Sequence, residues 1–98
     1  MSFELVSSGA DSAVVKVTGE LDITTIDDLE EAVQPILERD PQRLVIDVSS
    51  LRFADSSAIA LWVKWATIVP ALEIHHPQPL LRRVIDSMGL AETLRVTP

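Results

Sequence analysis

Leu44-Val45-Ile46-Asp47-Val48, followed by Asp55-Ser56-Ser57-Ala58, decides how this chain is read. The first stretch is a nearly continuous apolar run, the pattern of a strand covered on both faces. Asp47 interrupts it and needs a hydrogen-bond partner or a place at an exposed strand end. The second stretch opens an apolar helix running from Ala58 to about Ile68. That order of strand, loop and helix sets two hydroxyls and a carboxylate where a helix has unpaired backbone N–H groups and a partial positive charge.

Before this centre, Phe3-Glu4-Leu5-Val6 and Ala13-Val14-Val15-Lys16-Val17 flank the turn-rich segment Ser7–Ser12 and read as an antiparallel pair. Val15 and Val17 share one face, with Val14 and Lys16 on the other. Thr24 or Thr25 then caps a helix in which Ile26, Leu29, Ala32, Val33, Ile36 and Leu37 recur at helical spacing. Thr25 and Asp28 have the spacing of a capping box. Pro35 removes a backbone donor and crowds the carbonyl of Glu31, which predicts a kink or a displaced helix there. After the centre, Leu72-Glu73-Ile74-His75 reads as a last strand. Pro77-Gln78-Pro79 starts a helix with Leu80, Leu81, Val84, Ile85 and Met88 on one stripe, closed by Gly89 as a left-handed cap with Leu90 beyond it. The expectation is an α/β domain, β-β-α-β-α-β-α with a ragged tail, built on a mixed four-stranded sheet. The first two strands are antiparallel; those joined through helices are parallel.

Ninety-eight residues, 47% of them hydrophobic, make one domain spanning 1–98 with a single core. Cysteine is absent, which excludes disulfides, thiol chemistry and cysteine-based zinc sites. The net charge of −7, from 15 acidic and 8 basic residues, repels nucleic acid and anionic membranes at long range and favours a basic surface on a protein partner. Met1-Ser2-Phe3-Glu4 carries neither a basic region nor an apolar signal core. The longest apolar stretch, Ala58 to Leu72, is broken by Lys64, Thr67 and Pro70 and falls short of the roughly 20 residues that span a bilayer. A soluble, cytoplasmic protein without membrane insertion is expected.

Two readings stand at Asp55-Ser56-Ser57. Asp55 or Ser56 serves as the helix N-cap, since both residue types are preferred there. Ser57 then lies inside the first turn with no necessary capping role and is available to carry a phosphate at the positive helix end. Gly19-Glu20-Leu21-Asp22 likewise reads either as a strand end with Asp22 in an Asx turn, or as a docking loop at the carboxyl edge of a parallel sheet. The helix after Ser57 has two apolar sides. Ile59, Trp62, Val63 and Ala66 form the core side; Leu61, Trp65 and Ile68 lie on the other and need cover, from a neighbouring helix or from a partner. His75 and His76 point to opposite faces of a strand and lack a third ligand, so no metal site is expected. Magnesium near Glu20, Asp22 and Asp55 would arrive with nucleotide phosphates. No nucleophile–base pair and no glycine-rich phosphate loop is present, and no cofactor and no catalytic residue is assigned.

Gly19-Glu20-Leu21-Asp22, Asp55-Ser56-Ser57 and Leu81-Arg82-Arg83-Val84-Ile85-Asp86-Ser87-Met88-Gly89-Leu90, in this order, resemble the signatures of the STAS domain, and most closely of bacterial anti-sigma-factor antagonists. The resemblance covers nearly the whole chain. It implies a non-enzymatic switch whose phosphoacceptor is Ser57. Asp22, Asp55, Ser56, Ala58, Leu61 and Trp65 are then the partner-binding residues. The implied partners are an anti-sigma factor that is itself a serine kinase, released on phosphorylation, and a phosphatase that resets the switch. Ala58 stands where many members of that family have glycine. Some small STAS proteins instead bind and stabilise a transporter ATPase with no kinase involved, and this is the alternative reading.

Overall fold

The computed structural model describes residues 1–98. Strands β1 (Ser2–Ser8) and β2 (Ser12–Leu21) pair antiparallel around a turn in which the Gly9 N–H donates to the Ser12 carbonyl at 2.8 Å. They are followed by α1 (Ile26–Leu37), β3 (Arg43–Asp47), β4 (Leu51–Ala54), α2 (Ser56–Ala66), β5 (Ala71–His75) and α3 (Pro79–Ser87). β3 lies parallel to β2, β5 parallel to β3, and β4 parallel to the last residues of β2. The expected mixed α/β sheet is present with five strands rather than four. The added strand is β4, whose Arg52 and Phe53 are exposed and leave no apolar run to mark it.

The core follows from the alternation along β2 and from the apolar run of β3. Ala13, Val15 and Val17 are buried on one face of β2, while Val14 and Lys16 are half-buried on the other. Leu44, Val45 and Ile46 are all buried, as a strand covered on both faces requires. Asp47 ends that strand, where its carboxylate accepts the Ser49 N–H at 2.9 Å. Trp62 and Trp65 sit with Leu29, Val33, Leu72, Ile74 and Ile85 in one cluster. The Trp62 indole N–H has no hydrogen-bond partner there, a cost of roughly 1–3 kcal/mol that burial of the ring must outweigh. No helix is long and apolar enough to cross a membrane.

Several local expectations change. α1 runs through Pro35 and ends at Leu37. The acceptor that loses its donor, the Glu31 carbonyl, belongs to an exposed residue in the last turns. The capping box does not form: Thr25 is the N-cap but makes no side-chain cap hydrogen bond, because its hydroxyl accepts the Asp22 N–H instead, at 3.0 Å. At the end of α3 the left-handed cap is present. Gly89 has φ +71°, its N–H donates to Asp86, and the Leu90 N–H donates to Ile85, the two bonds of a Schellman motif. The tail beyond is ordered rather than ragged. Leu94 is fully buried, and residues 94–97 bond to the free edge of β5 through Ile74 and His76.

Across β3 and β5, Arg43 grips Glu73 through both guanidinium nitrogens, at 2.8 and 3.0 Å, and His75 Nε2 lies 2.8 Å from the same carboxylate. The Arg43 hydrogen bonds, reinforced by His75 and opposed by partial burial, push the Glu73 carboxyl down to about 2. A depressed folded-state pKa stabilises the fold above the carboxyl's unfolded value and loses that contribution as pH falls through the folded one. Urea unfolding at pH 6 and pH 3 should therefore show a smaller acid loss for Glu73→Gln than for the wild-type chain. Trp65 is 1% exposed, so Trp65→Ala should cost about 3–5 kcal/mol in the same experiment, by cavity formation.

Candidate functional site

β2 and β4 end in register, Leu21 opposite Ala54, so the segments that follow leave the sheet side by side. The register shifts by one residue just before, where Arg52 of β4 is the extra residue between the pairs Gly19–Leu51 and Glu20–Phe53. Gly19 beside it has a φ of +96°, a backbone conformation that residues with a side chain resist. The ladder continues one step past β4, with the Asp55 N–H donating to the Leu21 carbonyl at 3.1 Å.

Asp55 is the extended N-cap of α2. Its Oδ1 accepts the Ser57 N–H at 3.0 Å and the Ser57 hydroxyl, and its Oδ2 accepts the Ile23 N–H at 3.2 Å. One carboxylate thus caps a helix, orients the candidate serine and clasps the neighbouring loop. The Ser57 hydrogen bond, with backbone donors from Ser57, Ala58 and Ile23, holds the Asp55 carboxyl below its usual range against the opposing effect of burial. In the clasped loop, Asp22 forms an Asx turn. Its Oδ1 accepts the Thr24 N–H at 2.9 Å and the Thr24 hydroxyl, which holds the Asp22 carboxyl low as well. Both carboxylates are therefore ionised at neutral pH, next to a serine at the positive end of α2.

Asp22, Asp55, Ser56 and Ser57 meet on one surface, with Ser56 exposed and Ser57 half-buried. Ala58, Leu61 and Trp65 do not belong to it. They are 0%, 7% and 1% exposed and lie in the core, so the expectation that they contact a partner is overturned. α1 packs beside α2, and the second apolar side of α2 joins the same cluster as Leu29 and Val33. Ile68 alone of that side stays in water. The sequence reading missed Ile23, whose side chain is 71% exposed beside Asp55, and the exposed Phe53 on β4. An apolar residue directly after Asp22, inside a capping segment, was the available signal for the first.

A family model described as Mlab, STAS domain, matches residues 5–97. The anti-sigma-F factor antagonist RsfB of Mycobacterium tuberculosis is 32% identical over 94 residues, which span 86% of this chain and 71% of RsfB. An anti-sigma factor antagonist from Mycobacterium paratuberculosis superposes with a TM-score of 0.86 at 27% identity, over 99% of this chain and 86% of that one. SpoIIAA in its unphosphorylated form superposes at 0.83 with 19% identity, over 99% and 89% of the two chains, a likeness of fold.

Removing the Asp55 carboxylate should release both the helix end and the loop. Asp55→Ala is expected to lower the melting temperature by about 4–8 °C, the usual worth of a cap in a domain this small. Hydrogen exchange should quicken at the Ile23 and Ser57 amides, a paired loss that a simple capping role would confine to Ser57.

Proposed function

The chain belongs to the STAS domain family, and from that membership we propose that it is an anti-sigma factor antagonist controlled by phosphorylation of Ser57. It binds an anti-sigma factor, itself a serine kinase, and thereby frees a sigma factor. Phosphorylation by that kinase ends the complex, and a phosphatase restores it. The chain acts in the cytoplasm by binding and turns over no substrate of its own.

The observation that carries this reading is the position of the Ser57 hydroxyl. It stands at the first turn of α2, partly open to water, in the grip of a carboxylate and one loop away from a second. A phosphate on it gains roughly 0.3–1 kcal/mol from the helix N-terminus. It also loses the hydrogen bond to Asp55 and brings about −1.5 to −2 charges against a carboxylate within hydrogen-bonding reach. The repulsion favours an outward phosphate, away from Asp55 and into the space a docked partner fills. The fold tolerates the group because water can solvate it; an interface over Ser57 must desolvate it instead. Modification at this point acts on the complex more than on the domain.

The same hydrogen bond also gives Ser57 a structural task without any phosphate. That favours one second reading, a STAS subunit that binds and stabilises a transporter ATPase.

Incubation of the purified chain with ATP and the serine-kinase anti-sigma factors of its own genome separates the two. Intact mass should show one added phosphate, lost in Ser57→Ala and kept in Ser56→Ala. The phosphorylated chain should bind the kinase on the order of a hundredfold more weakly, the equivalent of a few kcal/mol of uncompensated charge. A Ser57→Ala chain that takes up phosphate as before would remove Ser57 from the role. One that takes up none and still stabilises a transporter ATPase favours the second reading.

A further inference from the structure

Between β4 and α3 runs an open groove of about 370 Å³, lined mainly by Leu51, Phe53, Leu80, Leu81 and Val84. Its walls are large apolar side chains left in water: Phe53 is 50% exposed, Leu80 68% and Val84 37%. α3 in fact carries two apolar stripes. Leu81 and Ile85 face the core, whereas Leu80, Val84 and Met88, four residues apart, stay partly open to water. Walls this exposed suit docking by a protein segment better than enclosure of a small molecule, whose pockets bury most of the ligand.

Charge narrows the occupant. The chain is strongly acidic, yet three of its eight Lys and Arg residues, Arg52, Arg82 and Arg83, stand on β4 and α3. Arg52 lines the groove with 73% of its side chain exposed, and its nearest carboxylate, Glu20, lies 3.6 Å off. Arg83 follows Leu80 by three positions, which makes them neighbours on the helix surface, and it forms no ion pair. Continuity points to the source. Ala54 lines the groove, and the next residue, Asp55, holds Ser57, so the groove ends one residue along the chain from the carboxylate that grips the serine.

We propose that the groove takes an acid-flanked apolar segment of the same partner that covers Ser57, with its apolar side chains against Phe53, Leu80 and Val84 and its carboxylates on Arg52 and Arg83. This rests on the reading of Ser57 as a partner-controlled site. The two regions then have different tasks: the groove contributes affinity whether or not Ser57 is modified, and Ser57 contributes the veto.

Calorimetric titration with the purified serine-kinase anti-sigma factors of the chain's own genome tests it. Leu80→Glu should weaken binding about 10–100-fold, as loss of an interface anchor does. The double variant Arg52→Glu/Arg83→Glu should weaken it about tenfold and flatten its salt dependence. Ile68→Glu, exposed but away from the groove, should bind as the wild type does, and all variants should keep the wild-type melting temperature within a few degrees, as surface changes do. Binding that survives both groove variants while Ser57→Asp abolishes it overturns the groove and leaves the Ser57 reading intact. A wild-type chain that binds none of these kinases overturns both. Sedimentation that shows a dimer dispersed by Leu80→Glu overturns the proposal in favour of a second copy of this chain.

Discussion

The Asp55 carboxylate is the contact on which the functional end of the molecule depends. It has two oxygens and three donors to satisfy: the Ser57 N–H and hydroxyl on one oxygen, and the Ile23 N–H on the other. A serine cap would close the helix but could not also reach the neighbouring loop. An asparagine would offer one acceptor oxygen where two are used. The residue type is therefore fixed by geometry, since β2 and β4 end in register and deliver the two loops to a common point. The register includes one extra residue, Arg52 of β4, opposite the step from Gly19 to Glu20. From the paired ends of two strands to a carboxylate at the start of a helix, one backbone arrangement sets where Ser57 stands.

What lies beneath that point is rigid. α2 is apolar on both sides, and both are used inside the molecule, by the sheet and by α1. Trp62 and Trp65 are both buried there, and the Trp62 indole N–H has no partner within the protein. A helix packed in this way has little freedom to shift, because close-packed interiors resist small displacements. A charge added at its first turn is therefore read where it is added. The burial that removes Leu61 and Trp65 from the surface around Ser57 is the same burial that keeps that surface's chemistry local.

Where the sequence pattern is strong, the structure is legible in it. The alternation of Ala13, Val15 and Val17, the run Leu44–Val48, the helical spacing from Ile26 to Leu37 and the Gly89 cap each carry one dominant signal. The misses share a cause: the deciding partner is distant in sequence. β4 is too short, and Phe53 too exposed, for any period to show; only pairing with Gly19–Leu21 defines it. Leu94 looks like part of a loose tail until β5 presents a free edge to residues 94–97. Leu61 and Trp65 were given to a partner and belong to the core, because helical spacing reports that a side needs cover and not what covers it. At the site, Asp22, Asp55, Ser56 and Ser57 were legible from residue type and from placement after strands. The clasp between Asp55 and Ile23 spans 32 positions and was not.

The charge distribution and the apolar groove would answer different requirements of the proposed reversible complex. Repulsion between like charges acts steeply at contact and can be switched by one covalent group, but it gives little affinity of its own. Apolar burial gives affinity, but no kinase can add or remove it. Here the two sit on consecutive residues, with Ala54 in the wall of the groove and Asp55 in the clasp. On the proposed reading, a partner reaching both would be held by a term that never changes and dismissed by one that does. Affinity and control would then vary separately, the first by exchanging Phe53, Leu80 or Val84, the second by disturbing Asp55 and the helix end it holds.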